Sequence, residues 1–123
     1  MRFVLKSKIH RAWVTDNNPD YVGSVVIDRL LMEKAGLWEY EKVQLCNVNN
    51  GERWETYVLA GEEGQGEVSV QGPGARLCMK GDCLIILSFE ATDEPIVPTM
   101  LLVDRQNRFV EYLAPDHHAE PVY

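Results

Sequence analysis

The sequence lacks any long apolar run and is short of positive charge. No stretch of about twenty apolar residues is present, which excludes a membrane-spanning helix. Among its 123 residues, 12 Lys and Arg stand against 19 Asp and Glu, and the formal net charge is −7. Because phosphate backbones are bound by basic faces, we expect no nucleic-acid partner. The length suits one domain with a real core rather than two, so we expect a single domain over residues 1–123.

The first ten residues also lack the pattern of a signal peptide. Lys6, Lys8 and His10 interrupt the apolar residues there, and no cleavage site of small residues follows. We therefore expect a cytoplasmic protein that neither crosses nor binds a membrane.

Cysteine is scarce, and its spacing is not that of a metal site. Cys46, Cys78 and Cys83 form no CxxC pair, whereas a structural zinc site needs four ligands at paired spacings. His117 and His118 are further candidate ligands, but they lie in a polar tail flanked by proline. The pattern predicts free thiols and no metal. Cys46 and Cys83 lie inside apolar runs and are expected to be small core residues.

Short apolar runs separated by turn residues indicate a mainly β fold. Asn50-Gly51 between two such runs is a strong hairpin signal, residues 16–20 are expected to form a turn, and Pro98 predicts an edge position for its strand. The spacing of the runs is typical of a small β-barrel. We expect the tail from Ala114 to be loosely ordered. The predicted strands are residues 3–5, 9–14, 21–27, 42–48, 53–59, 68–70, 83–90, 96–103 and 108–113.

We expect one or two short helices, of which the clearest spans Asp28–Ala35. Asp28 can cap its start and Gly36 can end it. Leu30, Leu31 and Ala35 supply a narrow apolar face.

No familiar catalytic motif is present, since the sequence has neither GxSxG nor GxGxxG. One arrangement does suggest chemistry, because Gly23 is followed directly by Ser24 inside a predicted strand. A hydroxyl after a glycine can attack the glycine carbonyl, because the absent Cβ leaves room and allows the strained backbone that the attack needs. Elimination and hydrolysis of the resulting ester would split the chain and leave a pyruvoyl group on residue 24. The alternative is a strand bulge with a surface serine.

The surroundings of this dipeptide carry a family resemblance. Its anchors, specific in this order and at these separations, are Lys8-Ile9-His10-Arg11, Tyr21-Val22-Gly23-Ser24, Ile27-Asp28, Asn47-Val48-Asn49-Asn50-Gly51, Arg53-Trp54-Glu55-Thr56-Tyr57, Gln71-Gly72-Pro73-Gly74-Ala75 and Gly81-Asp82. From about Phe3 to about Phe89, the chain resembles the bacterial aspartate 1-decarboxylases, pyruvoyl enzymes that make β-alanine for pantothenate. The resemblance implies a double-psi β-barrel assembled as a homotetramer.

For the covalent chemistry, the resemblance implies that the bond between Gly23 and Ser24 is cut. The products would be residues 1–23, the β chain of the family, and residues 24–123, the α chain. Ser24 becomes the pyruvoyl cofactor, with neither pyridoxal phosphate nor a metal. Its ketone forms a Schiff base with the amine of L-aspartate, the α-carboxylate leaves as carbon dioxide, and Tyr57 then donates a proton.

Other residues acquire binding or processing roles from the same resemblance. Thr56 would donate a hydrogen bond to the oxyanion that develops at Gly23, and later touch substrate. Lys8 and Arg53 would bind the two carboxylates of aspartate, in an order that the sequence leaves open. They would also give an acidic chain the basic pocket that a dicarboxylate needs. The remaining residues are Gly72, Pro73 and Gly74 as substrate contacts, and His10 and Gln71 as processing groups.

The geometry of the strand leaves one question open. Period two puts Arg53 and Tyr57 on one face and Thr56 on the other. Either a twist or a bulge brings Thr56 to the site, or Thr56 reaches the site of a neighbouring subunit.

The chain departs from the family at several positions. Gln71 replaces the usual asparagine, which keeps the amide but lengthens its reach by one methylene. Pro73-Gly74 replaces a pair of alanines, and Cys46 replaces a tryptophan. Two further hypotheses are a non-catalytic barrel that keeps the Gly23–Ser24 bond intact and a decarboxylase for another acidic amino acid. Whether self-cleavage needs a maturation protein is also open.

Overall fold

The computed structural model describes residues 1–114, which form a mainly β fold with two short helices, as predicted. The strands are β1 (Arg2–Trp13), β2 (Asp16–Asn18), β3 (Ser24–Asp28), β4 (Lys42–Asn47), β5 (Arg53–Gly61), β6 (Val68–Gln71), β7 (Cys83–Thr92), β8 (Thr99–Val103) and β9 (Phe109–Tyr112). Helix α1 spans Arg29–Ala35, and a 3-10 helix spans Gly72–Leu77.

The strands form one mixed sheet in the order β2-β6-β3-β5-β4-β7-β1-β8-β9. The pairs β1 with β8, β2 with β6 and β3 with β5 are parallel, and the others are antiparallel. This topology is consistent with the predicted double-psi β-barrel. Seven strands contribute core residues that are fully buried, among them Ile9, Val25, Leu45, Val58, Val68, Leu84 and Leu101.

Helix α1 begins and ends where the sequence predicts. The Asp28 carboxylate accepts a hydrogen bond from the Leu30 backbone N–H, and Gly36 ends the helix in the left-handed conformation at φ 72°. Its apolar face was predicted partly wrongly: Leu30 is exposed, and Met32 is buried instead. The first turn of α1 points Leu30 to solvent, because the helix packs its opposite side on the sheet.

Strand β1 joins the two strands predicted at residues 3–5 and 9–14 into one. Its register against β7 shifts twice, between Leu5 and Ser7 and between Ile9 and Ala12. Each shift inserts one extra residue into β1, which is the geometry of a bulge. At the second bulge Arg11 has φ 65°. The bulge breaks the usual alternation of inward and outward side chains, and the neighbours Ile9 and His10 are both buried.

The segment before Ser24 also differs from the prediction. Residues 16–18 of the predicted turn form β2, because their backbone pairs with β6. The strand predicted from Tyr21 begins only at Ser24, and Tyr21 and Val22 are exposed and outside the sheet. Gly23 is therefore not a glycine inside a strand but the residue directly before one.

The C-terminal strands differ in one respect. The strand predicted from residue 96 begins at Thr99, and it lies between β1 and β9 rather than at an edge. Pro98 precedes the strand, so its missing N–H removes no hydrogen bond from the sheet. At this end of the strand order the edge strand is β9. The prediction for the tail beyond Ala114 lies outside the described residues, as do His117 and His118.

All three cysteines are free thiols, as predicted. Cys83 is a buried core residue, while Cys46 is only half-buried. Burial, with a smaller contribution from Asp82, raises the pKa of Cys78 to about 11. Within residues 1–114, no group of three or more metal-ligating side chains comes together, and neither helix has the length and apolarity to cross a membrane.

Candidate active site

Ser24 is the first residue of β3 and lies between two other strands. Its side chain is 1% exposed, and its Oγ donates a hydrogen bond to Gln71 Oε1 at 3.0 Å. Ser24 and Gln71 are direct partners in the antiparallel pairing of β3 with β6, so their side chains share a face of the sheet. The bulge with a surface serine, offered as the alternative for this dipeptide, is wrong on both counts.

The other neighbour of β3 is β5, which carries the predicted proton donor and oxyanion donor. The parallel register pairs Val25 with Val58. Continued beyond its first pair, this register would put Ser24 level with Tyr57 and Gly23 level with Thr56. Adjacent strands lie roughly 4.8 Å apart. We therefore expect the backbone of Gly23 to lie beside the strand segment that carries Thr56.

Strand β5 is regular through this segment. Its register against β4 runs without a shift from Arg53 to Tyr57, so no bulge reorients Thr56. Arg53 is exposed, whereas Thr56 and Tyr57 are half-buried and project to opposite faces. Of the explanations for Thr56, the bulge is thus wrong, and a twist or a neighbouring subunit stays a prediction.

The loop after β6 closes over the dipeptide. Gly72 has φ 77°, and a Cβ atom there would lie 2.8 Å from the Gly23 nitrogen and closer still to its Cα. Glycine is required twice over, for the left-handed backbone and for the space. The Pro73 ring lies against Gly23 as well, since a Cβ atom on Gly23 would sit 3.6 Å from Pro73 Cδ. Gln71, Gly72 and Pro73 are therefore brought together with Gly23 and Ser24.

Asparagine side chains hold the far end of the 3-10 helix, a role that the sequence did not reveal. The Asn17 amide donates to the carbonyls of Ala75, at 3.1 Å, and Cys78, at 3.0 Å. The amides of Asn47 and Asn50 both donate to the Leu77 carbonyl, at 3.1 Å and 3.0 Å. The only sequence feature that pointed to this role was the Asn-rich run at residues 47–51, and its local pattern indicates a turn.

Lys8 and His10 lie elsewhere in the sheet. Both belong to β1, and three strands separate β1 from β3 in the strand order. Lys8 is half-buried and His10 is buried. Within residues 1–114, neither Lys8 nor Arg53 has a hydrogen bond or an ion pair for its side chain. The sheet order thus separates Lys8 from Ser24 within one chain, whereas Arg53 lies on β5, beside β3. The side chains of both cations remain available to a carboxylate.

The intact chain encloses Ser24 rather than opening it to a groove. A surface groove of about 700 Å³ is lined by Lys6, Trp38, Tyr40 and Phe89 among others, and Ser24 is not part of it. An enclosed hydroxyl, beside a glycine peptide and held by an amide, is suited to reaction with its own backbone more than with a solute.

Comparison with known proteins gives a consistent result. The family described as aspartate decarboxylase matches residues 1–110. The aspartate 1-decarboxylase of Clostridium botulinum (strain Loch Maree / Type A3) is 47% identical over 121 residues, which cover 95% of each chain. The aspartate 1-decarboxylase of Caldicellulosiruptor saccharolyticus is 49% identical over 121 residues, covering 95% of this chain and 94% of that one. These matches confirm the resemblance read from the sequence, and the chain belongs to the aspartate decarboxylase family.

Proposed function

We propose that this chain is the precursor of an enzyme that removes the α-carboxylate of L-aspartate as carbon dioxide and yields β-alanine, for pantothenate synthesis in the cytoplasm. The observation that carries the proposal is the enclosure of the Gly23–Ser24 peptide. Ser24 Oγ is buried and fixed by Gln71, and Gly72 packs on the Gly23 backbone where any other residue would not fit. Family membership supports the same activity.

The proposed self-cleavage balances with one water molecule. Ser24 Oγ attacks the Gly23 carbonyl carbon, its proton passes to the amide nitrogen, and the peptide becomes an ester. Loss of the Ser24 α-proton expels the Gly23 carboxylate, and water then replaces the remaining nitrogen, which leaves as ammonia. Thr56 supports the first step by donating to the oxyanion, since removal of one such donor typically costs a factor of about a hundred or more. His10 lies three strands away from Ser24 in one chain, so it would serve as a proton carrier from a neighbouring subunit.

The residues around Ser24 fit a pyruvoyl group made in place. When formed, its carbonyl serves as an electron sink for decarboxylation and needs neither pyridoxal phosphate nor a metal. The phenol of Tyr57, level with Ser24 on the neighbouring strand, is the proton donor to the substrate carbon. A cofactor built from the chain itself suits a barrel whose interior is filled with side chains.

Two cations that have no ion pair within residues 1–114 support the choice of a dicarboxylate substrate. Lys8 and Arg53 bind the two carboxylates of aspartate in a chain whose net charge of −7 would otherwise repel it. The backbone of Gly72, Pro73 and Gly74 completes the pocket.

A homotetramer would bring these distant groups to one site. Lys8 lies three strands away from Ser24 in the sheet order, so subunits that share sites would supply it from a neighbour. Large apolar side chains exposed on one chain, such as Phe3 at 82% and Trp38 at 80%, support such interfaces. A separate maturation protein is a further partner to be tested.

The mass of the purified protein tests the proposal. We expect two fragments, residues 1–23 and 24–123, with the larger one blocked to N-terminal sequencing. Because water enters and ammonia leaves, the two fragment masses sum to about one dalton more than the intact chain. Carbon dioxide release from L-aspartate should appear together with the cut and should be weaker with other acidic amino acids.

The matched control is Ser24→Ala, which keeps the fold and removes the nucleophile. We expect it to stay intact and to release no carbon dioxide. A wild-type chain that remains uncut, even with an added maturation factor, would favour a non-catalytic barrel.

A further inference from the structure

Trp54 and Gly74 fit together without spare room. Trp54 lies on β5 next to Arg53, and its half-buried ring packs against the core. Gly74 is in the middle of the 3-10 helix and lies on the pyrrole edge of the indole. A Cβ atom on Gly74 would be 2.9 Å from Trp54 Cδ1 and closer still to Nε1. No side chain can occupy position 74 unless the indole or the 3-10 helix moves.

The reason for glycine at position 74 is space, not backbone conformation. Gly72, two residues earlier, needs glycine for its φ of 77°, but Gly74 is not among the glycines with positive φ. An alanine would adopt the same backbone without strain if the indole were smaller. The absence of a Cβ at Gly74 is thus explained by the volume of Trp54.

Burial of the Trp54 indole N–H is unfavourable, and only the packing of the ring can offset this cost. Within residues 1–114, Trp54 Nε1 is a buried donor with no acceptor. A buried donor without a partner is unfavourable, and such groups in native proteins call for an explanation. The ring is therefore held for its shape against the 3-10 helix rather than for its hydrogen bond.

A displacement at Gly74 would pass to the Gly23–Ser24 peptide. At its far end the 3-10 helix is fixed by the amides of Asn17 and Asn47. At its near end Gly72 packs on Gly23, and the preceding Gln71 holds Ser24 Oγ. Because the far end is tied, the near end takes up the movement.

We propose that Trp54 is a positioning residue for self-cleavage. Its indole supports the 3-10 helix in the position that keeps Gly72 packed on Gly23 and Gln71 hydrogen-bonded to Ser24. This inference rests on the proposed function. It assigns to Trp54 no contact with substrate or with the reacting atoms.

Three variants test the coupling of the two positions: Gly74→Ala, Trp54→Leu, and the two combined. The half-time of cleavage is followed by intact mass, at a temperature where circular dichroism shows every variant fully folded. We expect Gly74→Ala to slow cleavage by about a hundredfold, because a misplacement of about 1 Å near reacting groups has that effect. Trp54→Leu should slow it less. The combined variant should cleave faster than Gly74→Ala, since leucine leaves room for the added methyl group.

Gly61→Ala is the matched control for overpacking. Gly61 ends β5 and has no positive φ, and a Cβ atom there would lie 2.8 Å from Glu67 Oε1 and 3.1 Å from Val26 Cγ1. This variant should lower the thermal midpoint without slowing cleavage in the folded protein. A purely structural role for Trp54 predicts the same behaviour for Gly74→Ala, which would overturn the proposal.

The remaining outcomes separate this inference from the proposed function. If the wild-type chain cleaves and the rate effects of the two substitutions simply multiply in the combined variant, the role of Trp54 is overturned. The proposed function then still stands. A wild-type chain that never cleaves overturns the proposed function and this role with it. If Gly74→Ala does not fold, the combined variant is compared with Trp54→Leu, and a large further loss on adding alanine overturns the proposal.

Discussion

At the scale of single residues, Gln71 makes the contact with the most direct consequence for the proposed cleavage. Its Oε1 accepts the hydrogen bond from Ser24 Oγ at 3.0 Å, so the amide holds the hydroxyl that is proposed to attack. Gln71→Met keeps the length of the side chain and removes the acceptor. We expect self-cleavage to slow by about tenfold, the rate equivalent of one neutral hydrogen bond. The measurement is the half-time of cleavage by intact mass.

Gln71→Asn serves as the control for this substitution. It keeps the amide but shortens it by one methylene, so its rate should fall between those of the wild type and Gln71→Met. Cleavage of Gln71→Met at the wild-type rate would show that the hydrogen bond does not assist the attack.

At the scale of elements, Asp28 joins helix α1 to the loop between β5 and β6. Its buried carboxylate accepts hydrogen bonds from the backbone N–H groups of Leu30 at 2.9 Å, Gly64 at 3.1 Å and Gly66 at 2.7 Å. Asp28→Ala leaves these donors without an acceptor, and we expect the free energy of unfolding to fall by about 2–4 kcal/mol. Urea unfolding of the Ser24→Ala background, which keeps one intact chain, measures this change.

Asp28→Asn tests how much of this network one oxygen can hold, since Oδ1 accepts from both Leu30 and Gly64 while Oδ2 accepts from Gly66. An amide has one acceptor oxygen, so it can keep part of this network, and the loss of stability should be smaller than for alanine. Equal stability of the Ser24→Ala chain with and without Asp28→Ala would mean that water replaces the carboxylate fully.

The sequence predicted elements best where the determining signals are local. Asp28 and Gly36 bound α1 because caps act within a few residues, and Asn50-Gly51 predicted the β4–β5 hairpin for the same reason. The bulge at Arg11 was missed because it follows from the pairing of β1 with β7, which no local pattern encodes.

The candidate site likewise has features that the sequence predicted and features that only the fold reveals. Ser24 and its neighbours were found from a motif and a resemblance, and the structure encloses that dipeptide with Gln71 and Gly72. The packing of Trp54 on Gly74 depends on where the 3-10 helix lies over β5, and a list of residue types carries no such information. Asn17 escaped notice because its partners lie 58 and 61 residues further along the chain.

At the scale of the whole molecule, the proposed cut would not release the smaller fragment. Residues 1–23 contain β1, which lies inside the sheet between β7 and β8, and β2, which pairs with β6. Ile9 and Ala12 of β1 are fully buried in the core. We therefore expect both fragments to stay together in native mass spectrometry and to separate only in denaturant. Loss of the smaller fragment under native conditions would contradict this sheet order.

The contact of Gly72 with Gly23 also has a consequence for timing. Synthesis delivers the N-terminal segment first, and Gln71, the partner of Ser24, follows it by 47 positions. A nascent chain would carry an inert peptide bond at residues 23 and 24 until β6 has been made and has docked. The cut would therefore report that β6 has docked beside β3, and an uncut chain in the cell would mark a molecule that has not reached this step of folding.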